Sequence, residues 1–340
     1  MPFIDDILHF RSLSIVGMEK NTGKTETLNY IIRRLYQENK IIAVTSIGID
    51  GESTDQVTFT HKPEIRLFED SVFITSEKHY LQKQLVSEII NVSDRFTSLG
   101  RLVTGRVKIA GKVILSGPSD TIWLKRIIGE TERYGVDITL VDGALSRRSL
   151  GSPAVTESMV LTTGAAVSHY LPELVKKTKF VFSLINLEEY RTSLTEDLLK
   201  IENGIWSIGD DNRLYDLNIP STLLLDRYKD KLFEFGHTLF VSGILTDKTL
   251  DTLRLQPEIT ETRVVVKDFT KIFASSETVQ SYLKKGGKIN VLLKTRLIAV
   301  CINPVSPAGY RMDSEKLQKA LEESLEVPVY DIKSPRYGIV

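Results

Sequence analysis

Leu13-Ser-Ile-Val-Gly-Met-Glu-Lys-Asn-Thr-Gly-Lys-Thr25 decides how this chain reads. A short apolar strand enters a loop ending Gly23-Lys24-Thr25. Leu28, Ile31, Ile32 and Leu35 then recur at i, i+3, i+4 and i+7, the stripe of a helix packed on a sheet. Strand, small-residue loop and helix start, in that order, predict a site for nucleotide phosphates. The loop N–H groups wrap the anion and the helix turns its positive end toward it. Glu19, Lys20, Asn21, Thr22, Gly23, Lys24, Thr25 and Glu26 are the residues expected around the nucleotide. Lys24 is expected to reach the β/γ-phosphates, and the Thr25 hydroxyl to bind Mg2+. Five residues separate Gly17 from Gly23, one more than the usual spacing. No Asn-Lys-x-Asp is present to read guanine, which favours ATP.

Composition narrows the field further. The 340 residues are 41% hydrophobic and 26% charged, ordinary for a globular chain with a sizeable core. Lys+Arg and Asp+Glu both number 44, so no basic excess argues for nucleic acid. No apolar stretch approaches the roughly 18 residues of a membrane helix. The acidic start, Met1-Pro-Phe-Ile-Asp-Asp6, is unlike a signal peptide, and a cytoplasmic location is expected. The single cysteine, Cys301, sits in the apolar run Leu297–Ile302 and reads as a buried strand residue. His9, His61, His79, His169 and His237 are scattered, with no metal-ligand spacing.

Strand and helix signals alternate along the chain, which predicts α/β layers around a largely parallel sheet. Ile41–Thr45 reads as a second core strand. Short β-rich pieces at 64–67, 72–75, 101–109 and 112–116 read as an antiparallel or edge section. A helix is expected at 119–134, then a buried strand, Val136–Val141, ending in Asp142-Gly-Ala144. The helix Leu171–Lys177, before the apolar run Phe180–Leu184, closes a first domain of residues 1–175. A second domain, 176–340, is left to bind a partner or ligand. It pairs Thr238–Gly243 with a helix at 246–255, Arg263–Val266 with one at 275–285, and Leu297–Ile302 with one at 313–325.

A phosphate loop needs carboxylates at strand C-termini to help hold its metal. Asp142 directly follows an apolar strand and is placed to bind Mg2+ directly or through water. A plain Asp-Gly turn is the alternative. The loop Ser46–Asp55 carries Asp50, Glu52 and Asp55, with Asp50 and Asp55 favoured over Glu52; a solvated loop would have the same composition. Thr25, Asp50, Asp55 and Asp142 are therefore the expected metal set, and Lys24, Asp55 and Asp142 the catalytic one. Arg147 and Arg148 either stabilise phosphate charge or face solvent. The small residues of Val160–Ala166 suggest close backbone approach. Asn303-Pro-Val-Ser-Pro-Ala-Gly309 reads as a rigid turn, with a second small-molecule site as the alternative.

Lys20-Asn-Thr-Gly-Lys-Thr25 resembles the phosphate loops of the molybdopterin-guanine dinucleotide accessory protein, and the wider first half resembles dethiobiotin synthetase. There, the loop Thr, an Asp after the second strand and a Glu in Glu-Gly-Ala gather the metal. The matching residues here are Thr25, Asp55 and Asp142, the last an Asp in place of Glu. More segments together resemble the KamB family, a subunit of the lysine 5,6-aminomutase reactivase. They are Ser14–Thr25, Thr45–Asp55, Val141–Arg147, Ser152–Thr156 and Val300–Tyr310. The resemblance implies a P-loop NTPase-type, mostly parallel sheet flanked by helices, with a second α/β region. It implies an ATPase using ATP and Mg2+ as an accessory factor for an adenosylcobalamin-dependent aminomutase, acting with a second reactivase subunit to release damaged cobalamin. No Asp-x-His-x-x-Gly cobalamin motif occurs, in keeping with a role beside the cofactor enzyme. Homodimerisation is left open. The alternatives are an ATP-dependent ligase acting on a small carboxylate, and a nucleotide-binding structural subunit.

Overall fold

The computed structural model describes residues 3–47, 64–118, 120–144, 152 and 155–334. The chain forms two compact units, Met1–Lys179 with Arg296–Val340, and Phe180–Thr295. The first begins with a short helix α1 (Ile4–Ile7), β1 (Ser12–Gly17), α2 (Lys24–Gln37) and β2 (Ile42–Ser46). Next come β3 (Ile65–Leu67), β4 (Val72–Ser76), α3 (Glu77–Leu81) and the long ribbon β5 (Gln84–Thr97) with β6 (Gly100–Val113). α4 (Thr121–Thr131), β7 (Ile138–Ala144) and β8 (Ser158–Gly164) follow, and α5 (Leu171–Ile185) leads into the second unit.

The second unit holds α6 (Thr195–Lys200), β9 (Ile205–Ile208), β10 (Leu214–Ile219), β11 (Thr238–Val241), α7 (Asp247–Arg254), β12 (Arg263–Val266), α8 (Ser276–Lys284) and β13 (Lys288–Val291). Its sheet runs β10-β9-β11-β12-β13. β11, β12 and β13 are parallel and β9 is antiparallel to its neighbours. Leu198, Ile208, Phe240, Val265 and Leu292 form its core. The chain then returns to the first unit as β14 (Arg296–Asn303), α9 (Ser314–Leu325) and β15 (Val329–Tyr330).

The large sheet of the first unit has the order β15-β14-β8-β1-β7-β2-β4-β6-β3, with β5 paired to β6. From β15 to β4 every pair is parallel; β6 is antiparallel to β3, β4 and β5. The fold is thus α/β, with a large, mostly parallel central sheet flanked by helices. Strand alternation sends Leu13, Ile15, Val44 and Leu140 to the face covered by Leu28, Ile31, Ile32 and Leu35 of α2, all fully buried. Val141 and Ile47 meet Leu124 of α4 on the opposite face. Each such Leu or Ile contributes about 1.5–3 kcal/mol through burial. Cys301 is buried in β14 as expected, and burial pushes its thiol up to about 12. Among the described residues no helix is long and apolar enough to cross a membrane.

Four expectations change. The second unit is Phe180–Thr295 rather than 176–340, because the apolar run in β14 is buried as a strand between β8 and β15. Phe180–Leu184 continues α5 as helix. β4, expected in an antiparallel or edge section, pairs parallel with β2 on one side. β5 was not foreseen, since register shifts at Val86/Ser87 and Ile89/Asn91 break the two-residue alternation by which a strand is recognised. A chain ending at Thr295 should therefore lack a cooperative unfolding transition in the first unit, because β8 loses the neighbour it meets over Ser158–Gly164. Circular dichroism melting would check this; a truncated chain melting like the full one would contradict the assignment.

Candidate functional site

The seven parallel strands end at one edge of the large sheet, the edge at which open α/β sheets bind ligands. β1 delivers Gly17 there, β2 Ser46, β7 Asp142, β8 Thr162 to Gly164, and β14 Asn303. The loop after β1 carries two left-handed residues, Asn21 (φ 62) and Gly23 (φ 93). Asn is among the few side chains that tolerate this conformation. Gly23 is the N-cap of α2 and has no side chain with which to cap it, so the first-turn N–H groups of α2 are left for another acceptor.

The loop folds tightly on itself. A β-carbon placed on Gly17 would lie 2.5 Å from Thr22 Oγ1 and 2.7 and 2.8 Å from Cγ and Cδ of Lys24. The stem of Lys24 therefore crosses directly over Gly17, and only glycine leaves that space. Thr22, itself buried, donates from Oγ1 to the Glu19 carbonyl at 2.9 Å. Its single proton is then used, so the Thr162 hydroxyl, 3.0 Å away, is the donor to Thr22. Met18 N donates to Thr162 O at 2.9 Å, tying the loop entrance to β8.

Asn303 holds the other side. Its Nδ2 donates to Asn21 O at 2.9 Å, while its Oδ1 accepts from Val305 N at 3.1 Å. Its backbone carbonyl accepts from Ala165 N at 2.9 Å, so the small residues of Val160–Ala166 do meet another backbone closely.

Asp142 pairs with Ile15 of β1 and Ser46 of β2. Alternation along β7 puts its side chain on the face that packs α2, beyond Leu140. It is half-buried, with Oδ1 out of solvent, and its carbonyl accepts from Ser46 Oγ at 3.2 Å. Among the expected nucleotide contacts, Glu19 and Lys20 are exposed, while Asn21, Gly23, Lys24, Thr25 and Glu26 are half-buried. Glu26 turns to Lys333, 2.8 Å away, in an exposed ion pair of the kind worth about 0–1 kcal/mol. Asp50, Glu52, Asp55, Arg147 and Arg148 lie outside the described residues. Thr162 and Asn303 were not foreseen as loop supports. Their one signal is the one that marked Asp142, a polar residue at the end of an apolar strand.

Farther along the same edge, at the end of β4, Ser116 Oγ gathers a buried polar cluster. It accepts from Ser76 N at 3.0 Å, donates to Ser76 Oγ at 2.7 Å and sits 3.0 Å from His79 Nδ1. With the Ser116 proton on Ser76, His79 Nδ1 is the donor to Ser116. Among the described residues, no three metal-binding side chains cluster. No family model matches the chain, and no curated protein matches it.

Burial, and then the Lys78 charge, hold the His79 pKa below its ordinary 6.5. The unfolded chain thus binds the proton more readily, and this contribution to stability is complete above pH 6.5 and lost as pH falls through the lowered folded value. The lowered carboxylates Glu173, Asp211, Asp226 and Asp247 act below their ordinary values of 4.5 and 3.8. Urea titrations from pH 7.5 to 5 should therefore show stability falling below about pH 6.5, with a shallower fall in His79→Asn. Equal slopes would show that His79 is not the group responsible.

Proposed function

We propose that this chain is a Mg2+-dependent ATPase of the P-loop type, working as an accessory factor for an adenosylcobalamin-dependent aminomutase together with a second reactivase subunit. The observation that carries the nucleotide reading is the loop itself. Lys24 folds back over Gly17, two residues of the loop are left-handed, and α2 starts at a glycine that leaves its N–H groups uncapped. That combination favours an anion over any neutral ligand. The aminomutase role rests on the resemblance in Ser14–Thr25, Thr45–Asp55, Val141–Arg147, Ser152–Thr156 and Val300–Tyr310.

In this reading Lys24 and the loop N–H groups bind and orient the β- and γ-phosphates. The Thr25 hydroxyl and Asp142 would hold Mg2+, with Asp50 or Asp55 as the further carboxylate expected from the sequence. The fit is chemical: a hydroxyl at the start of α2, and a strand-end carboxylate with one oxygen out of solvent on the face that packs α2. The metal's contribution is to neutralise charge on the phosphate oxygens. Catalysis is then positioning and charge stabilisation, with little covalent chemistry for the protein to perform.

Lys24→Ala should weaken ATP binding by about 100-fold, the loss of a charge-assisted contact, while leaving the circular dichroism spectrum unchanged. Unchanged affinity by calorimetry would remove the site. Asp142→Asn should lower hydrolysis and its Mg2+ dependence more than it lowers nucleotide affinity; wild-type Mg2+ dependence would remove Asp142 from the metal set and leave it a strand residue of β7. The accessory role predicts slow hydrolysis alone and several-fold faster hydrolysis with the aminomutase and companion subunit. Inactivated aminomutase should recover only with ATP, Mg2+ and fresh adenosylcobalamin together. Recovery without ATP, or with Lys24→Ala, would refute that role.

A further inference from the structure

We infer that Asn303 is a positioning residue that holds the Gly17–Thr25 loop in its anion-accepting conformation, an inference that rests on the nucleotide reading above. A loop can accept an anion only if its carbonyls point away and its N–H groups point in. In a trans peptide the C=O and the following N–H point in opposite directions. Asn303 Nδ2 holds the Asn21 carbonyl toward β14, which turns the Thr22 N–H the other way. Thr22 Oγ1 does the same to the Glu19 carbonyl and so turns the Lys20 N–H. The carbonyls of Glu19 and Asn21 are thus each held by a side-chain hydroxyl or amide, which leaves the Lys20 and Thr22 N–H groups beside the left-handed Asn21 turned the other way, as in backbone anion nests.

The Asn303 amide is itself fixed. The Val305 N–H engages its Oδ1, which leaves Nδ2 for Asn21, and the Asn303 backbone carbonyl accepts from Ala165 N. Its stem packs against the loop as well, for a β-carbon on Gly23 would lie 3.1 Å from Asn303 Cβ. Asn303 sends no hydrogen bond of its own to the phosphates in this account. It acts through Asn21.

The test compares the wild-type chain with Asn303→Ala and Asn303→Asp, using ATP and inorganic triphosphate as probes with Mg2+ present. Both variants should bind both probes about 10-fold more weakly, the worth of one hydrogen bond, and Asn303→Asp should be the weaker because a carboxylate has no proton to offer the Asn21 carbonyl. KM for ATP should rise while kcat at saturation stays within about twofold, a split that general unfolding would not produce. Unchanged affinity for both probes would overturn the inference and leave the nucleotide site standing. Loss for ATP but not triphosphate would place Asn303 at the base or sugar and overturn it equally. A wild-type chain that binds neither probe would remove the nucleotide reading together with this inference. Should the variants not fold, the wild-type Asn303 side-chain amide signal must shift on titration with triphosphate, and a silent signal overturns the role.

Discussion

The parallel pairing of β14 with β8 is the constraint on which the loop depends. It carries Asn303 to the same edge as Gly17 and lets its amide reach a carbonyl 282 residues earlier in the chain. The compact unit Phe180–Thr295 runs from within α5 up to β14, so the first sheet is completed only by residues made last. Without β14 the row of backbone groups on β8 would be an open edge, costly in a strand buried on both faces. The same pairing therefore supplies both stability and the outer wall of the loop.

Three strands of this sheet, β2, β4 and β8, carry pairs of hydroxyls at or next to their C-terminal ends. Thr45 and Ser46 end β2, Thr75 and Ser76 end β4, and Thr162 and Thr163 end β8, all of them buried. Buried hydroxyls are for the most part bonded. Thr45 donates to Ile74 O, Thr75 to Ile114 O, and Thr163 meets Thr178, at 3.2, 2.8 and 2.9 Å. These side chains tie β2 to β4, β4 to the segment after β6, and β8 to α5, and they stiffen the edge at which the loop sits.

Much of this was legible from residue pattern. The α2 stripe carries the clean period of a helix, the strand before it and the strand that reaches Asp142 read as short apolar runs, and each lies where that pattern places it. The loop resemblance concerned residues adjacent in sequence and could be read locally. What was not legible depended on distant pairing. No local signal in Leu297–Ile302 says which sheet the strand will join, so the C-terminal segment was assigned to the wrong unit. β5 hid behind its own bulges, and it exposes Val86, Ile89 and Phe96, where a core-facing strand would have buried every second residue. Thr162 and Asn303 are loop supports only because three strands meet.

The loop conformation is held by a narrow margin. A non-glycine residue in the left-handed region costs about 1–3 kcal/mol, less for Asn, and Asn21 is one. The bond from Asn303 returns about 0.5–1.5 kcal/mol and those of the Thr22 hydroxyl about as much each. Strain and tether are therefore of similar size, and neither sequence nor backbone alone decides the loop's shape. Removing one tether leaves the other carbonyl still drawn out, which is why the expected effect of Asn303 is a graded loss of affinity and not collapse of the unit. An anion bound to the inward N–H groups would add to the same side of this balance. In the proposed nucleotide reading loop shape and ligand would favour each other, with β14 setting how far the loop is prepared before any ligand arrives.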